Sequence, residues 1–180
     1  MTRTKGSKAR SPSNQPLVIN GWQIFVHSLL LAQLEKLVAA VEGERSKSPQ
    51  GYRSTANFKT LAALYKLLFE TVPQDPTREI YRQGDTLGRE NKHWFRAKFG
   101  SGRFRLFFRY SSSARIIIFA WVNDSETLRE YGARTDAYAV FAAMLRKGNP
   151  PGDWQALLSA CKAGRPGPLS KLVTWFGPSK

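Results

Sequence analysis

The sequence predicts a small α+β domain: a mostly antiparallel four-stranded sheet, two N-terminal helices packed on one face, and C-terminal helices. Three observations lead there. Residues 28–72 carry apolar side chains at helical spacing in two blocks, residues 93–122 hold three consecutive β-prone runs joined by Gly- and Ser-rich connections, and residues 135–162 return to a helical pattern. The resulting order is β-α-α-β-β-β-α-α. With 180 residues, 42% hydrophobic and 12% aromatic, the chain can build a real core, which excludes global disorder.

Residues 1–17 open with a Ser-, Lys-, Arg- and Pro-rich stretch without apolar periodicity and are expected to form a disordered basic extension. The domain is expected over 18–163, with a Pro/Gly-rich extension over 164–180. Asn20-Gly21 is a turn signal before a strand at Trp22–Val26. Ser28 is the expected N-cap of the first helix, in which Leu30, Leu34, Leu37, Val38 and Val41 share a face. His27, just before it, reads as a structural or capping residue. Phe58, Leu61, Tyr65, Leu68, Phe69 and Val72 mark the second helix, which Pro73 and Pro76 are expected to stop. Residues 77–90 read as a loop with a short helical turn. Strands follow at His93–Phe99, Arg103–Tyr110 and Arg115–Val122, and helices over 135–147 and 153–162. Leu172, Val173, Trp175 and Phe176 are expected to dock on the body.

Charge narrows the function. Lys and Arg number 28 against 13 Asp and Glu, a formal charge of +15, which points to a polyanionic partner, nucleic acid first. Residues 91–122 hold seven basic and no acidic residues, and the two ends hold seven more basic residues. A single cysteine, Cys161, and two histidines, His27 and His93, argue against a disulfide framework and against a metal site, and no cofactor is expected. No apolar run is long enough to span a bilayer and no signal peptide is evident, so a cytoplasmic protein is expected. Gly-rich phosphate-binding motifs and paired catalytic carboxylates are not evident.

Parity gives the basic block a face. Phe95, Ala97 and Phe99 share one side of their strand, and Trp94, Arg96 and Lys98 the other. A two-residue loop at Ser101-Gly102 would pair Phe99 with Phe104, Lys98 with Arg105 and Arg96 with Phe107, so that basic meets basic and apolar meets apolar. The next hairpin would pair Phe108 with Ile117 and Leu106 with Phe119. One face then becomes core, and the other gathers Arg96, Lys98, Arg103, Arg105 and Arg109 in an open patch. Like charges directly opposite cost some tenths of a kcal/mol, so a phosphate-binding surface explains the patch better than folding does. Trp94 and Phe107 on that face are candidates to stack unpaired bases. The chemistry that remains is metal-free RNA cleavage through the 2′-OH, with arginines as a charge clamp and Lys98 or His93 moving protons.

Several stretches carry a family resemblance: Ile19–Trp22, Pro73-Gln74-Asp75-Pro76-Thr77-Arg78, Tyr81-Arg82-Gln83-Gly84, Thr86–Gly88, Lys92–Phe99, Arg105–Tyr110 and Ala120–Asp124. From about Ile19 to Ala160 the chain resembles the YhaV family of toxins, within the RelE-like ribonuclease superfamily of type II toxin–antitoxin systems. The resemblance implies a RelE-like fold, cleavage of mRNA at or with the ribosome, and an acidic antitoxin of the PrlF type with an AbrB-like end. It also implies operator DNA binding only through the toxin–antitoxin complex; no membrane partner is expected, because the apolar runs are too short to span one. The family's basic-x-basic pair and following arginine fall on Arg96, Lys98 and Arg105. Its late arginine and tyrosine fall on Arg129 and Tyr131, with Arg129 and Arg82 joining Trp94, Arg103 and Arg109 as RNA contacts. Two other readings stay open: a non-catalytic inhibitor that blocks its target, as gyrase-inhibiting relatives do, and a ribosomal or nucleoid accessory protein.

Overall fold

The computed structural model describes residues 15–124, 136–162 and 167–178. Arg129 and Tyr131 lie outside them. Strand β1 (Leu17–Ile19) turns through Asn20 and Gly21, at φ 50° and 78°, into β2 (Trp22–His27). Two consecutive positive φ values are what a tight hairpin of this twist demands, and Asn-Gly supplies them. The turn signal was legible; the three-residue strand before it was not, and Leu17, assigned to the extension, opens β1.

Helix α1 (Ser28–Lys47) begins at Ser28, the residue expected to cap it. His27 holds the cap instead of Ser28, its Nδ1 accepting from the Leu29 N–H at 3.2 Å. The ring is 1% exposed, and burial holds its pKa below the ordinary histidine value. A neutral cap in the fold against a readily protonated ring in the unfolded chain fixes the sign. The stability it contributes is fully present above about pH 6.5 and is lost as pH falls below that value through the lowered folded one. His27→Asn, which keeps a capping acceptor, is expected to flatten this acid-side slope in melting curves taken between pH 5 and 8.

Helix α2 (Ala56–Lys66) is capped by Thr55, which accepts from the Phe58 N–H. It continues through one wide π turn, Leu67–Thr71, into the short α3 (Val72–Gln74). Pro73 therefore does not stop the helix. The wide turn leaves it at the start of α3, where a missing N–H is tolerated.

Strands β3 (Phe95–Phe99), β4 (Phe104–Ser111) and β5 (Ile116–Val122) are shorter at their starts than the sequence suggests, and Arg103 and Arg115 sit in turns. The β3–β4 register is the expected one: Phe99 opposite Phe104, Lys98 opposite Arg105, Arg96 opposite Phe107. The connection is four residues, Gly100–Arg103, rather than two, with Gly100, Ser101 and Gly102 all at positive φ. The β4–β5 register is not the expected one. Phe108 faces Phe119, Tyr110 faces Ile117, and a bulge between Phe107 and Phe108 brings Leu106 opposite Val122. The longer turn, with Arg115 at φ 55°, moves the pairing by two residues and so keeps each side chain on its face until the bulge.

The sheet runs β1-β2-β5-β4-β3, and β6 (Cys161–Lys162) adds to β2. It has six strands rather than four, and it is mixed because β2 and β5 are parallel. Helices α4 (Ala137–Arg146) and α5 (Trp154–Ser159) follow β5, and residues 161 and 162, expected to be helical, pair with His27 and Val26. Helix α6 (Gly167–Phe176) docks on α1 and α2 through the buried Leu169 and Leu172.

Both faces of the sheet are covered. Leu106, Phe108, Ile117 and Phe119 pack with α1, α2 and α6. Trp94, Phe107, Ile118, Ala120 and Trp121 pack with Tyr138, Phe141 and Leu157 from α4 and α5. The open basic face expected from parity is thus a second core. Every residue of β5 is buried, the signature of a strand enclosed on both sides.

Candidate active site

The second core is not wholly apolar, and its polar residues are the ones parity gathered. Arg96 and Arg105, on neighbouring strands, are 9% and 5% exposed. Their Nε atoms both donate to one oxygen, the Tyr138 phenol, at 2.9 Å and 3.4 Å. Arg96 Nη1 also donates to the Ile80 carbonyl, and Arg105 Nη1 to the Gly102 carbonyl at 2.7 Å. The Nη2 group of each is without a hydrogen bond among the described residues, and no carboxylate pairs with either guanidinium there.

Local structure explains the placement. Asp136 caps α4 by accepting from the Tyr138 N–H at 2.9 Å, which sets Tyr138 in the first turn, and Phe141 one turn on stacks against Phe107 at 4.3 Å. The Asn123 side chain holds the start of β4, accepting from the Arg105 N–H and donating to the Arg103 carbonyl at 3.1 Å. Burial, the largest influence on the Tyr138 phenol, pushes its pKa up. The hydrogen bonds and charges of Arg105 and Arg96 together outweigh it and hold the phenol below its ordinary value.

Lys98 is exposed directly across from Arg105, and Arg103 is exposed in the hairpin turn. Arg82 is exposed at the outer edge, where it bridges to Phe95 beside β3 and lies 3.8 Å from Glu79. Ile80, whose carbonyl receives Arg96, is 62% exposed on the same rim. Four of the expected residues are elsewhere or otherwise engaged. Trp94 is 0% exposed, packed edge-on against Phe141 at 5.0 Å, and offers no face to a base; Phe107 is equally buried. The guanidinium of Arg109 lies over the rings of both Trp94 and Trp154 and donates to the Gly152 carbonyl at 2.7 Å, so it ties β4 to the loop before α5 rather than joining an open patch. His93 sits in the turn before β3, beyond the opposite end of that strand from Lys98. Partial burial, then the charge of Arg109, holds its imidazole below the usual value.

Tyr138 was missed because its partnership with Arg96 spans 42 residues. The local signal was present: Asp136 two residues before it is a strong cap, and Tyr138 and Phe141 share a helical face. Cys161 is no nucleophile, since burial pushes its thiol up to about 12 and Sγ donates to the Leu157 carbonyl at 3.1 Å. Among the described residues no three His, Cys, Asp or Glu side chains come together as a metal site, and no helix is long and apolar enough to cross a membrane.

Residues 24–162 match a family model, that of the YhaV toxins, described as a toxin with endonuclease activity, of toxin–antitoxin system. The chain is 45% identical over 143 residues to Toxin YhaV of Escherichia coli O6:H1, and equally to Ribonuclease toxin YhaV of Escherichia coli strain K12. In each case this spans 79% of the chain and 93% of the relative. No solved structure matches.

Proposed function

Because this chain belongs to the YhaV family of toxins, the endonuclease components of toxin–antitoxin systems, we propose that Arg96, Arg105, Tyr138 and Lys98 form its RNA-cleaving centre. The observation that carries this reading is the guanidinium pair. Two nearly buried cations share a neutral phenol with no carboxylate among the described residues, an arrangement whose desolvation cost folding alone does not repay. A phosphate is the counterion it lacks. The substrate is RNA, in keeping with the relative named a ribonuclease toxin, and we place it as mRNA engaged with the ribosome.

In the step proposed, the ribose 2′-oxygen bonds to the adjacent phosphorus as its proton leaves, and the bond to the 5′-oxygen breaks as that oxygen gains a proton. The products are a 2′,3′-cyclic phosphate and a 5′-hydroxyl. The Nη2 groups of Arg96 and Arg105 stabilise the charge that builds on the phosphorane oxygens. Lys98 transfers a proton at the exposed edge of the cluster, and Tyr138 aligns both guanidiniums through its single oxygen. Arg103 and Arg82 hold the flanking phosphates. The partner that restrains this charge is an acidic antitoxin of the PrlF type.

End-group analysis of cleaved RNA tests the chemistry: cyclic phosphate ends, formed equally with and without a chelator, are expected, and 3′-hydroxyl ends would refute it. Lys98→Ala is expected to slow cleavage by on the order of 100-fold, and Lys98→Arg, which keeps the charge but not the proton transfer, is not expected to restore it. A rate unchanged in both variants would remove Lys98 from the centre.

A further inference from the structure

On the far side of the sheet from the guanidinium pair, α6 closes a cleft of about 520 Å³ against the end of α1 and the start of α2. Its walls include Tyr52, Phe58, Trp175 and Phe176, with Arg45 and Arg53 at the Tyr52 side. Residues 174–176 lie beyond the stretch that matches the family model, so this cleft is a feature of the chain's own C-terminal helix.

The two arginines converge. Both guanidinium carbons lie over the Tyr52 ring, at 5.9 Å for Arg45 and 5.8 Å for Arg53, and Arg53 Nε donates to the Tyr52 hydroxyl at 3.3 Å. Both are exposed, and neither has a carboxylate partner among the described residues. The nearby acids are already engaged: Glu44 accepts from Thr55 and Asn57, and Glu42 pairs with Lys171 at 2.6 Å. The cleft therefore presents two uncompensated fork donors beside an apolar wall.

The aromatic rings are largely turned to one another rather than outward. Phe58 meets Tyr52 edge-on at 5.3 Å and Phe176 at 5.2 Å, and Phe176 leans on Tyr65 at 5.5 Å. With the Tyr52 face taken by guanidiniums and Phe58 and Phe176 turned to each other, Trp175 alone of the cleft's rings is left to meet a ligand. That suits one apolar side chain better than a run of stacked bases. Fork donors beside an apolar wall fit carboxylates separated by an apolar side chain.

We propose that this cleft docks an acidic peptide segment of the toxin's protein partner, its carboxylates on Arg45 and Arg53 and an apolar side chain against Trp175. The proposal rests on the toxin–antitoxin reading for the existence of such a partner, but not on the cleavage mechanism.

The test is fluorescence anisotropy of the full chain at 150 mM salt, about the physiological ionic strength. One probe is a fluorescein-labelled hexapeptide of alternating glutamate and leucine; the other is a labelled 2′-O-methyl hexauridylate, which cannot be cleaved through its 2′ position. The Arg45→Ala, Arg53→Ala double variant is expected to bind the peptide at least ten-fold more weakly. A charge-matched control, Arg146→Ala with Lys147→Ala on the exposed end of α4, is expected to lose less than three-fold. Trp175→Ala is expected to weaken the peptide and leave the uridylate unchanged. Equal losses in the two double variants would mean bulk charge only and overturn the proposal. So would a wild-type chain that does not bind the peptide, or a loss at Arg45 and Arg53 seen only with the uridylate. Cleavage assayed alongside separates the two readings: a chain that binds the peptide in the cleft but leaves RNA intact sinks the mechanism and leaves the cleft standing, and the reverse result does the opposite.

Discussion

Tyr138→Phe is expected to slow RNA cleavage by on the order of 100-fold or more while RNA binding changes little. One oxygen atom is removed, and with it the acceptor that both Arg96 Nε and Arg105 Nε use. The ring itself stays supported by its edge contact with Phe107 at 5.7 Å and by the Arg105 guanidinium at 5.5 Å, so the fold has no reason to rearrange. Two buried N–H groups lose their partner, at about 1–3 kcal/mol of stability, and assays belong well below the melting temperature. A second readout separates chemistry from folding. Because Arg96 and Arg105 hold the Tyr138 phenol below its ordinary pKa, and Arg53 and Arg45 do the same for Tyr52, an ultraviolet titration of wild type is expected to show two tyrosines ionising early and the variant only one. Wild-type rates in Tyr138→Phe would mean the phenol is only a structural strut.

Trp94→Ala has the second large effect, and on stability. The indole is 0% exposed, meets Phe141 edge-on at 5.0 Å and carries Arg109 over its face at 5.6 Å. Removing it opens a large cavity in the layer between the sheet and α4, at about 3–5 kcal/mol. Chemical denaturation is expected to show that loss, and Trp94→Phe to recover much of it. A base-stacking tryptophan would behave in the opposite way, with near-normal stability and selectively weaker binding of single-stranded RNA.

The contrast shows what the chain discloses locally. Period-two alternation in β3 and β4 placed Arg96, Lys98 and Arg105 on one side, and the β3–β4 register came out as expected because any one-residue slip drives arginines into the Phe95–Phe108 layer. That this side is covered was written in the sequence as well, in the unbroken apolar run Ile116–Val122 and in Phe107 interrupting the basic alternation. An open antiparallel sheet would have shown polar residues there. The shift of the β4–β5 pairing depends on a four-residue turn and a bulge, which apolar patterning alone does not distinguish from a shorter turn. The parallel β2–β5 pair and the convergence of Tyr138 on Arg96 and Arg105 are long-range facts, set by how α4 returns across the sheet. Short strands such as β1 have too few residues to declare a period at all.

The guanidinium pair can be put to the test with one substitution. Arg105→Gln removes the charge while keeping a donor within the environment of Tyr138 and Gly102, and its single-turnover cleavage of a labelled RNA at saturating protein isolates the chemical step from binding. If Arg96 and Arg105 stabilise the phosphorane, that rate falls by on the order of 100-fold or more in a variant whose melting curve remains cooperative. A folded Arg105→Gln protein that cleaves within two-fold of the wild-type rate would contradict the assignment of this cluster as the active site.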